Sequence, residues 1–390
     1  MSNSSQIKSD FCPNAKKCGG CQLQNMDYDR QLAYKQAKVA GLIGRFCHVE
    51  PIIGMDEPFH YRNKVQAAFG MDRRGNIISG VYQSSTHRIV PVTSCMLEDK
   101  KADEIIVTIR KMMPRHRMTA YDEHRAVGFL RHVLVKRGFA TGEIMVVLVA
   151  STAVFPGQRA FLAELLERHP DITTVILNVN DRFTSLVLGQ KEKVLYGKGY
   201  IEDVLAGCRF RISAKSFYQI NHVQTEILYK TAIDYAALTG CERVLDAYCG
   251  IGTIGMAASG RAQSVAGVEL NRGAVRDAIF NARLNSIKNC YFTCADAGDF
   301  MLRMADEGEH ADVVFLDPPR AGSTVRFIES LARMSPERAV YVSCNPETLA
   351  RDLAVFEKNG YRAVRAQPVD MFPHTSHVET VVLLSRDKQA

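Results

Sequence analysis

Apolar and polar residues recur along this chain with more than one period, and the change of period divides it. Residues 27–46 carry Leu32, Tyr34, Val39, Leu42, Ile43 and Phe46 at near-helical spacing, with Lys35 and Lys38 between them, which predicts an amphipathic helix. From 61 to 92 the runs are short, and strands over 65–69 and 77–82 flank a turn at 72–76. A helix over 102–113 follows, then strand-like runs at 129–137 and 144–150 joined by Thr141-Gly142, a short helix over 161–168, and strands at 175–179 and 185–188. This is an α+β pattern with hairpins. Beyond residue 215 helices and apolar strands take turns. Helices are predicted over 222–238, 272–285, 324–333 and 346–358, and strands over 243–247, 264–269, 291–294, 313–316, 339–343 and 380–384. That alternation predicts a mostly parallel sheet with helices on both faces. The chain therefore reads as two domains, 1–215 and 216–390, the second an α/β, Rossmann-like fold whose chemistry belongs in loops at the carboxyl ends of strands.

Composition sharpens this picture. Hydrophobic residues make up 46% and charged residues 23%, which excludes a mostly disordered chain. The net charge of +7 is uneven: residues 1–215 hold 31 Lys+Arg against 21 Asp+Glu, residues 216–390 hold 18 against 21. A polyanionic partner should meet the first half. Within it, residues 107–140 contain Arg110, Lys111, Arg115, Arg117, Arg125, Arg131, Lys136 and Arg137 against only Asp122 and Glu123. The polar start and the lack of any run of 18 apolar residues argue against secretion and membrane spanning. A cytoplasmic protein with reduced thiols is expected. The eleven cysteines are too few over this length for a disulfide scaffold, yet Cys12, Cys18 and Cys21 fall within ten residues.

Three loops carry candidate chemistry. In the first, Gly250, Gly252 and Gly255 match G-x-G-x-x-G, and Glu269 ends the next strand. A dinucleotide turn with Glu269 on a ribose diol is one reading, which would make the chain an NAD-dependent oxidoreductase. Asp246 argues for another, because a carboxylate at that strand end opposes a pyrophosphate but suits the sulfonium and ammonium of S-adenosylmethionine. Glu269 would still serve its ribose, and Asp296 could accept from the adenine amino group. The second loop, Asp317-Pro318-Pro319-Arg320-Ala321-Gly322, is stiffened by two prolines and opened by a carboxylate. It suits a flat base held beside a methyl donor. In the third, Ser343-Cys344-Asn345-Pro346, the thiol precedes a helix, where the dipole and free N–H groups favour a thiolate, so Cys344 is the candidate nucleophile. Glu379 opens the last strand; if buried, its pKa would rise toward that of a general base.

Together these loops resemble the bacterial RNA uracil-5-methyltransferase family, which acts on 23S rRNA or on the T-loop of tRNA. The resemblance rests on Asp317-Pro318-Pro319-Arg320-x-Gly322, Ser343-Cys344-Asn345-Pro346, His377-Val378-Glu379, Phe217-Tyr218-Gln219-Ile220-Asn221, Tyr61-Arg62-Asn63-Lys64 and Cys12-x5-Cys18-Gly-Gly-Cys21. It implies a class I S-adenosylmethionine-dependent methyltransferase domain behind an N-terminal α+β domain. It also implies Cys344 as nucleophile, Glu379 as base, and Gln219, Tyr248, Glu269 and Asp317 at cofactor positions, with Gly250 and Asp296 added by the loop reading. A uridine C5 is a poor nucleophile until a thiolate adds at C6, and the base must be flipped out of its stack to be reached. Cys12, Cys18, Cys21 and Cys95 match members that carry a [4Fe-4S] cluster, with zinc as the physical rival. Their Cys-x5-Cys-x2-Cys spacing departs from the tighter triplet of radical S-adenosylmethionine enzymes. The cysteines favour 23S rRNA as substrate over tRNA. Longer members begin with a small β-barrel RNA-binding domain that this sequence is expected to lack. No obligate protein partner is evident, and a monomer is expected.

Overall fold

A computed structural model describes residues 12–84, 86–123, 125–184 and 186–387. The chain folds as two compact units. One comprises Met1–Asn25, Pro58–Asp203 and Ile212–Lys215, the other Met26–Glu57, Val204–Arg211 and Ser216–Ala390. The sequence reading placed a single cut at 215, but the helix Tyr28–Ile43 belongs to the second unit. Its Val39 and Ile43 are fully buried in that unit's core beside Tyr341, Leu349 and Leu384.

The first unit is built on a seven-stranded sheet. Its spatial order is Ile89–Pro91, Ile77–Tyr82, Lys64–Met71, Leu130–Arg137, Ile144–Ala150, Ile172–Val179 and Lys191–Tyr196. All neighbours are antiparallel except Ile144–Ala150 and Ile172–Val179, which run parallel because the helix Gln158–Arg168 connects them. Ile105 and Ile109 of the helix Lys100–Met112 pack with Val133, Val146, Phe161 and Val175 in one apolar core. The strand expected at 185–188 does not form over its described part, 186–188, and Ser185 lies outside the described residues. Asn180 donates to the carbonyls of Leu186 and Val187 (2.7 and 3.0 Å), so side chains take the bonds that a ladder would need.

The second unit holds an eight-stranded sheet in the order His48–Val49, Tyr361–Val369, Glu379–Arg386, Arg338–Ser343, Val313–Leu316, Arg243–Ala247, Ser264–Glu269 and Cys290–Cys294. It is parallel except for Glu379–Arg386, which is antiparallel to both neighbours. From Arg243–Ala247 the chain steps outward through two strands, then returns to place Val313–Leu316 on that strand's other side. This reversal opens a crevice at the carboxyl ends of the two strands. The glycine loop follows one of them and the proline loop the other.

Candidate active site

The glycine loop is shaped by carboxylates. Asp246 ends its strand almost wholly buried, and its Oδ2 accepts from the Gly255 amide at 2.8 Å. A Cβ on Gly255 would lie 2.9 Å from that oxygen, so the approach requires glycine. Glu269 accepts from the Gly250 amide at 3.2 Å and from the Asn271 amide at 2.7 Å. Two of the loop's amides are thus already turned onto carboxylates. In a dinucleotide turn those N–H groups approach the pyrophosphate. The carboxylates therefore leave this loop suited to a cation, and the oxidoreductase reading loses its phosphate site.

Gln219, Tyr248, Gly250 and Asp317 line one cleft together with Asp246 and Tyr229. Tyr248 takes a left-handed backbone, φ 68°, which turns the chain sharply out of the strand, and its ring lies 5.1 Å from that of Phe327. Gln219 is buried and bonds the Tyr229 hydroxyl, which also meets Thr253 Oγ1 at 2.9 Å. Asp296 is not among the residues lining this cleft but lies near enough to raise the Tyr248 hydroxyl. It is exposed, and its Oδ1 caps the helix Ala297–Asp306 by accepting from Asp299 N at 3.0 Å. Tyr229 was absent from the sequence expectations, since nothing distinguishes it there from an ordinary core tyrosine of the helix His222–Ala236.

Cys344 and Glu379 are brought together by one strand pair. Arg338–Ser343 and Glu379–Arg386 pair antiparallel with Ser343 opposite Thr380, so Cys344 and Glu379 flank the last pair at the same end, close enough for Glu379 to act on the thiol. The proline loop is fastened beside them. The Arg320 carbonyl accepts from Asn345 Nδ2 (3.5 Å) and Thr348 Oγ1 (3.3 Å), and Arg351 Nη2 donates to the carbonyls of Ala321 and Ser323.

The electrostatics follow from burial. Desolvation raises Asp317 to about 7, and it raises Asp246 to about 7 with help from Asp317 and Glu269. Glu379 is buried and pushed well up by desolvation and by Asp317, against a lowering pull from Arg320. Burial raises the Cys344 thiol to about 11, with Glu379 and Asp317 adding to the rise and Arg320 opposing it. The sequence reading expected a helix terminus to favour the thiolate here. The structure corrects that: Asn345 is the N-cap, Pro346 has no N–H, and the Glu347 amide is taken by Asn345 Oδ1 at 3.0 Å. Burial outweighs what the helix start and a backbone hydrogen bond contribute, and the thiol's proton is held.

In the first unit, Cys12, Cys18, Cys21 and Cys95 are half-buried free thiols. Cys21 is raised to about 11 by burial and by Cys18 and Cys12, and Cys95 to about 12 by burial and Glu98. Among the described residues, no group of three or more His, Cys, Asp or Glu side chains is placed to hold a metal ion. Among the described residues the expected four-thiolate set is therefore not gathered into a ligand group.

The expected basic surface at 107–140 is partly turned inward, while Lys111, Arg115, Arg117 and Arg125 stay exposed. Arg131 is buried, donating to the carbonyls of Asn180 and Arg182 (2.9 and 2.8 Å). Lys136 is buried on the Ser213 carbonyl (2.9 Å), Arg137 pairs with Asp99 (2.7 Å), Arg115 pairs with Glu164 (2.6 Å), and Arg110 bonds Ser79 Oγ (3.1 Å). An open groove of the unit is lined elsewhere, by Arg73, Arg74 and Arg88 with Asp72, Asp122 and Glu123 among them, beside Tyr82 and Tyr121.

Comparison with known proteins settles the family. Residues 27–387 match the profile of the tRNA (uracil-5-)-methyltransferases. The chain belongs to that family. It is 42% identical over 380 residues to an uncharacterized RNA methyltransferase of Bacillus cereus, covering 96% of this chain and 82% of the relative. It is 44% identical over 378 residues to one of Halalkalibacterium halodurans, with the same coverage. A crystal structure of the Pyrococcus abyssi tRNA (uracil-54, C5)-methyltransferase in complex with S-adenosyl-L-homocysteine superposes with a TM-score of 0.79 at 29% identity, over 94% of this chain and 85% of that one. Family membership makes this chain an RNA (uracil-5-)-methyltransferase with the expected α/β methyltransferase fold. Among the described residues no helix is long and apolar enough to cross a membrane.

Proposed function

We propose that this family member methylates C5 of a uridine in 23S rRNA, with S-adenosylmethionine as donor, Cys344 as nucleophile and Glu379 as base. The strand pair that brings Cys344 and Glu379 to one end, beside Asp317, carries the reading. A nucleophile at C6 and a base at C5 must address adjacent atoms of one ring, and two side chains at the same end of one strand pair can do so. When bound, S-adenosylmethionine supplies a methyl group on a sulfonium. Asp246 and Asp317 line the cleft with Gln219 and Tyr248, Glu269 lies near enough to act on Asp246, and bound positive charge would favour the ionised carboxylates.

Cys344 loses its proton and its sulfur bonds C6, pushing the C5–C6 electrons toward O4. C5 then takes the methyl group, leaving S-adenosylhomocysteine. Glu379 removes the C5 proton, C5=C6 re-forms, the C6–S bond breaks, and Cys344 regains its proton. Net, one proton passes through Glu379 to solvent. A duplex or stacked uridine must first be flipped into the cleft.

The cysteine pattern supports 23S rRNA, and the structural match supports the tRNA T-loop as the second reading. Mapping 5-methyluridine in both RNAs from cells lacking the gene decides between them; if neither loses a methylated uridine, the proposal fails. The spacing of Cys12, Cys18 and Cys21, with Cys95, further supports a [4Fe-4S] cluster in the first unit. Anaerobically purified protein should then be brown and hold iron, and a colourless protein holding zinc would overturn this.

A further inference from the structure

The segment 370–378, which joins Tyr361–Val369 to Glu379–Arg386 and ends at the base, is a loop buried over most of its length. Loops usually lie on the surface because buried backbone must find partners. Here the partners come from distant parts of the same unit. Lys35 Nζ meets Asp370 Oδ1 at 2.6 Å and the Phe372 carbonyl at 3.0 Å, with both side chains of the ion pair wholly buried. Tyr28 Oη donates to Asp370 Oδ2 at 2.9 Å and accepts from the Met55 amide at 2.8 Å. Gln31 Oε1 accepts from the His374 amide at 2.8 Å. Tyr28, Gln31 and Lys35 lie along one face of the helix Tyr28–Ile43.

From a second direction, Asn221 Nδ2 donates to the Met371 carbonyl at 3.0 Å and Gln224 Nε2 to the Asp370 carbonyl at 3.0 Å. Asn221 also caps the helix His222–Ala236 and stands two residues after Gln219. One buried polar knot therefore fixes the approach to Glu379 and the segment that carries Gln219. A buried ion pair is a weak device for stability, since an apolar pair of similar volume often serves as well. Its strength is in fixing a unique arrangement.

We propose that Lys35 and Asp370, with Tyr28 as their support, are positioning residues that hold Glu379 at C5 of the bound uridine. This rests on the assignment of Glu379 as the base. Misplacement of the base has a distinctive consequence. Sulfur addition and methyl transfer precede it, so a chain with a misplaced Glu379 stalls as a covalent RNA–protein adduct through Cys344. A purely structural role would lower the amount of folded enzyme without trapping anything.

The test uses full-length protein, S-adenosylmethionine, and in-vitro transcripts of unmethylated 23S rRNA and tRNA. The paired replacement K35M/D370L is expected to fold, to lose turnover by about 100-fold, the scale of a 1 Å displacement of a reacting group, and to accumulate the adduct on denaturing gels. KM for RNA should stay within about threefold. Tyr28→Phe, which keeps the ion pair and removes one hydroxyl, should show the same trapping at a smaller loss of rate. Turnover at the wild-type rate without adduct in folded K35M/D370L overturns the proposal. If that variant does not fold, Tyr28→Phe decides, and wild-type turnover without adduct overturns the proposal there too. Glu379→Gln is the control: if it traps no adduct, the assignment of the base fails instead.

Discussion

At the scale of single residues, the site gathers buried carboxyls whose proton affinity desolvation raises around a thiol raised in the same way. Two predictions follow from the sign of these shifts. Asp246 ionises in an unfolded chain at its ordinary value, about 3.9, but in the folded protein only at about 7. The folded state therefore binds the extra proton between those values. The stability this proton contributes is complete below about pH 4 and is lost as pH rises through 7. The cofactor-free enzyme should melt several degrees lower at pH 8 than at pH 5.5. Asp246→Asn should flatten that slope while keeping an oxygen for the Gly255 amide, as read by calorimetry across pH. The Cys344 thiol, raised to about 11 partly by Glu379 and Asp317, should alkylate slowly at pH 7 and faster by about tenfold per pH unit above it. Asp317→Asn should speed alkylation several-fold at pH 8, followed by mass spectrometry of the peptide that holds Cys344. An unchanged rate in that variant would show that Asp317 does not act on the thiol.

At the scale of elements, the proline loop depends on one backbone conformation. Gly322 has φ 78°, and a Cβ there would sit 2.5 Å from Asp352 Oδ2 and 2.6 Å from Arg351 Nη2. That carboxylate oxygen already accepts from the Ser323 amide and the Tyr341 hydroxyl, both at 2.7 Å, so it has little room to yield. Gly322→Ala should cost about 1–3 kcal/mol in denaturant unfolding and lower methyl transfer by displacing Asp317 and Arg320. The glycine and proline loops could be read from the sequence because local chemistry defines them: a carboxylate at a strand end, then glycines or prolines at fixed offsets. Other elements gave no such signal. The strand Lys191–Tyr196 is a sheet edge, exposed along nearly its whole length, so it lacks alternation. Tyr361–Val369 is broken by a bulge between Ala363 and Arg365, which shifts its inward positions out of phase. Lys35 looked like a residue of the polar face of its helix. Its partner Asp370 lies 335 positions away, and no local pattern announces such a pair.

At the scale of the molecule, the charge surplus of residues 1–215 divides into an internal and an outward part. Arg131, Lys136 and Arg137 hold the first unit together, while Arg73, Arg74 and Arg88 line its open groove beside Tyr82 and Tyr121. Phosphate contacts release counterions and so leave a slope in the salt dependence of binding. Replacing Arg73 and Arg74 together by Glu should weaken RNA binding and flatten that slope by about two, measured by filter binding across salt concentrations, with little change in melting temperature. Arg131→Glu should destabilise the protein instead. A steep, unchanged slope in the first variant would move the RNA surface elsewhere.

The position of the last strand has a consequence for how activity is acquired. Glu379–Arg386 comes last in sequence among the strands but third in the sheet, inserted between two strands formed from earlier residues. Such an insertion relies on non-local pairing, which is slow to form. During synthesis Cys344, the proposed nucleophile, leaves the ribosome 35 residues before Glu379, the proposed base. On that assignment a nascent or C-terminally nicked chain holds the thiol without its base, and completion of the fold sets when turnover can begin.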